Sequence, residues 1–229
     1  RHCARERFTI RFIEPILLLR NSGTLGFGVA ISLYGIAIFK SAWLSEDAFI
    51  TFRTVDNFVS GLGLTWNPAE RVQAYTHPLW MFLLAAFYFI TGEIYYTSLL
   101  CCAVVSVAAV MIFAHWVAAS MWAAALGVFA LTNSKAFVDY STSGLENPLT
   151  FLLLALFATF YIRPQARIGS IPLIYLIVGV GLFNRMDLAL IFGPGIMWIL
   201  WQERSWRSLV SGLVGIAPLA AWVIFSLIY

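Results

Sequence analysis

The 229 residues are 61% hydrophobic and 11% charged, with a formal net charge of +3. Soluble domains carry roughly 25% charged residues, so this composition excludes a water-soluble globule. So small a charge, with no basic face interleaved with aromatics, gives no footing for nucleic acid.

Mean hydropathy is +0.86, and several stretches reach the ~20 apolar residues that cross a bilayer core. Nine Trp and nine Tyr suit the lipid–water boundary. The alternation of a transmembrane β-barrel is missing. The expected fold is all-α: a polytopic helical integral membrane protein. Of the three cysteines, Cys3 stands alone and Cys101 and Cys102 are adjacent in an apolar run. With no CxxC or Cys/His spacing, neither a disulfide framework nor a zinc site is expected.

Residues 1–23 hold five arginines and read as a basic cytoplasmic flank, under the rule that positive loops stay inside. Residues 24–229 read as a transmembrane core of about eight apolar segments. The chain ends inside an apolar run, so a further C-terminal part of a longer protein is expected. The first span is expected at 24–43 and an outward loop at 44–76. His77-Pro78 opens a second span at 77–91, since proline suits a helix's first turn, and Gly92-Glu93 makes a cytoplasmic turn. Residues 97–132 are long enough for two crossings. Arginines at 163, 167, 204 and 207 place the later turns in the cytoplasm, with spans at 147–162, 171–184, 188–201 and 208–229. That parity demands an odd number of crossings in 97–132, so one full span plus a partial segment is expected. The cytoplasmic side then holds nine Lys and Arg and the outer side five.

Charge concentrates in the outward loops. Glu46-Asp47 at the mouth of the first span can act as a general base towards a hydroxyl. The pair can also hold a divalent cation, Mg²⁺ or Mn²⁺, the one cofactor the sequence suggests. The alternative is an acidic helix start that answers the helix dipole. Arg53 can grip a phosphate through its planar fork, or pair with Asp47 or Asp56. If 47–58 is helical, Arg53 and Asn57 share a face. Glu70 and Arg71 can form a surface pair. Ser143-Gly-Leu-Glu146-Asn147-Pro148 is either a functional loop or a helix cap. Arg185 and Asp187 lie between two apolar segments, where charge is costly and a functional reading is the default; the alternative is a pair that holds a helix end. His115, alone on an apolar stretch, reads as structural. Acids and arginines gathered at a membrane surface suit a substrate with a phosphate and a lipid tail.

Glu46-Asp47-Ala-Phe-Ile-Thr-Phe-Arg53, Gly61-Leu-Gly63 through Val72 and Tyr75-Thr-His77-Pro-Leu-Trp80 resemble the N-terminal region of GT-C glycosyltransferases. With Thr142-Ser-Gly-Leu-Glu146-Asn147 and Arg185-Met-Asp187, the resemblance narrows to bacterial arabinofuranosyltransferases of the terminal β-(1→2) type and covers about 45–190. The chain departs from that group's pattern at Ala69, Glu46 and Met186, none of which removes a charge. The resemblance implies a polyprenyl-phosphate sugar donor, a glycan or protein acceptor, and transfer on the outer face of a bacterial inner membrane. It implies Asp47, with Glu46, as the catalytic acids. Arg53 and Arg185 become phosphate-side candidates, and Glu70, Arg71, Tyr75, His77, Glu146, Asn147 and Asp187 sugar or acceptor contacts. The alternative function is a transporter or flippase of lipid-linked sugar, although neither the internal repeat nor the midplane charge common in transporters is visible.

Overall fold

The computed structural model describes residues 22–70, 72–162, 164–203 and 205–228, excepting the side chains of 164–170 and 207. Regular structure among the described residues is helical throughout, and the chain is an all-α membrane protein. The helices are α1 (Ser22–Lys40), α2 (Glu46–Val59), α3 (Pro78–Thr91), α4 (Tyr95–Ile112), α5 (Met121–Thr132) and α6 (Lys135–Tyr140), then α7 (Asn147–Ile162), α8 (Pro164–Asn184), α9 (Ala189–Glu203) and α10 (Trp206–Ile228). A π-helical turn, Phe113–Val117, extends α4, and a 3-10 turn, Met186–Leu188, precedes α9. Among the described residues, three segments are long and apolar enough to cross a membrane: Ser22–Lys40, Tyr95–Val117 and Ser208–Ile228.

Local chemistry sets the boundaries. Gly92, at φ +66, ends α3 in the left-handed region that glycine enters freely. The Glu93 carboxylate then caps α4, accepting from the backbone N–H groups of Tyr95 and Tyr96 at 2.8 Å each. Ser120 Oγ caps α5 through Ala123 N at 3.2 Å. The buried residues Ala48, Thr51, Phe52 and Val55 recur at helical spacing and turn one face of α2 inwards. That face joins Trp80, Met81, Leu84 and Cys102 in the larger apolar core.

The contacts place α3, expected as a crossing at 77–91, relative to the other helices. Near the start of α1, Phe27 meets His115 at the end of α4, and Gly23 faces Met121 and Trp122 at the start of α5. Further along α1, the Tyr34 hydroxyl lies 2.9 Å from Ser141 Oγ. Helix α4 passes that same loop at Ser106, whose hydroxyl donates to Ser141 O at 3.1 Å, and only then descends to His115. It therefore begins at the end of the bundle where α1 finishes. Helix α3 starts at this end too, since Trp80 Nε1 donates to Gly144 O at 2.9 Å. Both ends of α3 thus lie on one side, beside α2, to which it is tied by Tyr88 Oη donating to Asp56 Oδ1 at 2.8 Å and by the Phe58–Phe82 ring contact. Within 97–132, one segment long enough to cross, Tyr95–Val117, is followed by the shorter apolar helix α5 (Met121–Thr132), in keeping with the expected full span plus partial segment. A short apolar helix lying along another has the composition of a span, so hydropathy alone does not distinguish the two.

With Cys3, Cys101 and Cys102 replaced, cysteines introduced at Ala69 and Tyr96 should react with an impermeant thiol reagent from the same side. A cysteine at Ser205 should react only from the other. Opposite labelling of positions 69 and 96 would restore a crossing through α3.

Helices α8 and α10 are in backbone contact. A Cβ on Gly179 would lie 1.6 Å from the Gly215 carbonyl oxygen, so only glycine fits. Close approach through small residues is how helices associate where lipid removes the hydrophobic drive. The crossing brings Trp222 against Phe82, Phe183 and Tyr75 at the α3 end of the bundle.

Candidate active site

The loop 141–146 organises this end of the molecule. Gly144 has φ +78, and a Cβ there would lie 2.9 Å from the Ala48 Cβ and 2.8 Å from Leu44 Cδ2, so the loop presses directly onto α2. The Ser45 N–H donates to Ser143 O at 2.9 Å. Asn184 closes α8 onto α7, its Nδ2 donating to Thr150 Oγ1 at 3.1 Å and to Glu146 O at 3.4 Å. These bonds place Glu146, Arg185 and the first turn of α2 around one space.

That space is a cavity of about 530 Å³ lined in part by Asp47, Thr51, Tyr75, Thr76, His77, Tyr140, Glu146, Asn147 and Arg185. Glu146 is its hub. One carboxylate oxygen, Oε1, accepts from Arg185 Nη1 at 2.8 Å, and the other, Oε2, lies 3.3 Å from His77 Nδ1. The second ring nitrogen of His77 is 2.7 Å from Thr51 Oγ1. His77 and Glu146 are only 7% and 6% exposed. Burial pushes the His77 imidazole below its ordinary pKa, with Glu146 opposing and Arg185 reinforcing the shift, so the ring is neutral at pH 7. The Arg185 fork is closed by Asp187, with Nε to Oδ1 at 2.9 Å and Nη2 to Oδ2 at 2.7 Å. That guanidinium holds the Asp187 carboxyl below the usual range.

A second cavity of about 550 Å³ adjoins the first and shares Tyr75, Thr76 and Arg185 with it. Its other walls include Leu182, Phe183, Leu219 and Trp222. Arg185 therefore stands where a polar chamber meets an apolar groove.

Of the residues named from sequence, Asp47, Tyr75, His77, Glu146, Asn147 and Arg185 line the polar cavity, and Asp187 lies in the wall of the groove. Glu46 is exposed on the same turn as Asp47 and is not in the lining, nor is Glu70. Arg53 is turned elsewhere. It donates from Nε to Trp66 O at 3.0 Å and from Nη2 to Asn67 Oδ1 at 3.3 Å, and stacks on the Trp66 ring at 4.7 Å. Asn57 joins it, donating to Thr65 O at 2.8 Å, so the pair pins the loop after α2, and Arg53 is not among the lining of either cavity. His77, expected as a sugar contact, is buried with both ring nitrogens engaged. Arg71 lies outside the described residues. Among the described residues, no group of three or more His, Cys, Asp or Glu is disposed to hold a metal ion.

Sequence reasoning missed Thr51, Tyr140 and the groove. Thr51 was within reach, since it sits four residues after Asp47 on the same helix face. Tyr140 and Trp222 carried no signal, because only the tertiary fold brings them here.

Two curated proteins match this chain, both terminal β-(1→2)-arabinofuranosyltransferases. The one from Corynebacterium glutamicum is 29% identical over 220 residues, covering 82% of this chain and 31% of the relative. The one from Mycobacterium tuberculosis is 26% identical over 212 residues, covering 83% and 33%. The chain is similar to arabinofuranosyltransferases. It spans about a third of the length of these relatives. No family model and no solved structure matches it.

Proposed function

We propose that the protein is a GT-C-type glycosyltransferase that moves a pentose, arabinofuranose, from a polyprenyl-phosphate donor to a glycan acceptor outside the inner membrane. The observation that carries this reading is the junction at Arg185 between a polar chamber and an apolar groove. The donor's prenyl chain would lie along Phe183 and Trp222, its phosphate at Arg185 and its sugar in the chamber. Asp47 would take the proton of the acceptor hydroxyl. The acceptor oxygen then bonds to the anomeric carbon, and the bond from that carbon to the phosphate oxygen breaks. The electron pair leaves with polyprenyl phosphate, beside the arginine that stabilises it. The count of nine Lys and Arg against five supports an extracytoplasmic site.

The test uses the full-length protein in liposomes with radiolabelled polyprenyl-phosphoarabinofuranose and an oligoarabinofuranoside. The expected products are an acceptor longer by one pentose and free polyprenyl phosphate. Label that crosses the bilayer still attached to its lipid, with no transfer, would overturn the reading in favour of a transporter.

A further inference from the structure

Asp47 and Arg185 stand on elements far apart in sequence, and one chain of polar contacts runs from Arg185 to the helix that carries Asp47. On α2, Asp47 and Thr51 are four residues apart and share a face. From Thr51 the chain runs through His77 at 2.7 Å and Glu146 at 3.3 Å to Arg185 at 2.8 Å. It links α2, the residue before α3, the loop before α7 and the loop after α8. Apart from Arg185, its members are buried: Thr51 is 1% exposed, His77 7% and Glu146 6%.

A neutral imidazole can serve both Glu146 and Thr51 in one tautomer. A carboxylate only accepts, so the imidazole proton belongs on Nδ1, facing Glu146. That leaves Nε2 to accept from the Thr51 hydroxyl. Glu146 is then committed at both oxygens, to His77 and to Arg185. In that tautomer Glu146 and His77 are both engaged with buried partners, whereas Asp47 is the exposed acid on the chamber wall.

We propose that Thr51 and His77 are positioning residues that fix the rotation of α2 against Arg185, holding Asp47 opposite the arginine at the distance the reaction needs. The catalytic half of this proposal rests on the glycosyltransferase reading; the mechanical half does not. Other polar ties of α2, at Ser45 and Asp56, lie towards its ends, whereas the directional 2.7 Å hydrogen bond of Thr51 to the ring acts one turn from Asp47. Misplacement of a reacting group by about 1 Å costs on the order of 100-fold in rate.

Two measurements separate the halves. For the first, spin labels go on cysteines at Phe49 and Met186, which are 51% and 58% exposed, in a background without other cysteines. The distance distribution should be narrow in the parent, broad in Thr51→Val and narrow again in Thr51→Ser, which restores the hydroxyl. An unchanged width in Thr51→Val would overturn the proposal whatever the enzyme's activity. The second measurement is turnover. Thr51→Val should lower kcat about 10- to 100-fold with little change in donor KM, and Thr51→Ser should recover most of it. In an Asp47→Asn background Thr51→Val should add nothing, because the residue it positions is already disabled. Additive losses would mean that Thr51 acts elsewhere and would sink the positioning role. If the distances respond as expected but Asp47→Asn keeps full turnover, the glycosyltransferase mechanism fails and the mechanical coupling stands.

Discussion

Asp47→Asn is expected to lower turnover by about 10²- to 10⁴-fold, the usual contribution of a positioned general base, while donor KM changes little. The expectation follows from where the side chain sits. Asp47 is on the first turn of α2, exposed to the chamber that Arg185, Glu146 and Tyr140 also line. Asparagine keeps the size and suits a helix start, so α2 should form and the core face of Ala48, Thr51 and Phe52 should pack unchanged. The helix dipole favours an acid there by only ~0.3–1 kcal/mol, too little to unfold the bundle. What disappears is an acceptor for the proton leaving the acceptor hydroxyl. Glu46→Gln is expected to cost far less, because Glu46 is not in the chamber lining. Steady-state kinetics with both variants discriminates two chemistries. If the two acids shared a cation, both variants would fall together and EDTA would silence the parent. Independent acids give a large loss at Asp47 alone. A fully active Asp47→Asn enzyme would remove the base from the mechanism.

How much of this was legible beforehand depends on the kind of information each feature needs. The helical membrane class follows from composition, because lipid admits only helices and closed barrels. The polar residues of the chamber were visible because charge between apolar segments is expensive and rarely idle. The sequence could not say which way each side chain turns. Arg53 and Arg185 look alike as letters, each a few residues from an acid. One donates to Trp66 and Asn67 away from both cavities, while the other stands between Glu146 and Asp187 at the junction of the two. Likewise α3 has the hydropathy of a short span, and only its contacts with Asp56 and Gly144 reveal that it lies on one side. The glycine of Ser143-Gly-Leu-Glu146 could be read as part of a motif. Its physical cause, the close approach of α2 at Ala48 with a positive φ, appears only in three dimensions.

Arg185→Ala should do two separable things, loss of donor affinity and loss of stability. The guanidinium sits half in the chamber wall, and its Nη1 is the cationic partner of a carboxylate that is only 6% exposed. Removing it leaves Glu146 facing a neutral imidazole. Stranding one member of a fully buried pair costs ~3–5 kcal/mol. Arg185 is about one-third exposed, so the loss should fall below that range, at about 2 kcal/mol. Glu146→Gln in the same background removes the stranded charge and should recover most of the stability. Donor binding should not recover, since no cation has been restored at the mouth of the groove. Arg185→Lys tests the fork itself. It keeps a charge beside Glu146, but an ammonium loses the bidentate grip on Asp187 that fixes the cation at the mouth of the groove, so most of the stability should hold while donor KM rises. Thermal unfolding in detergent and donor KM, measured on all three variants, give the answer. If the double variant regained donor affinity with its stability, Arg185 would be a counter-ion for Glu146 alone, and the phosphate would have to be held elsewhere.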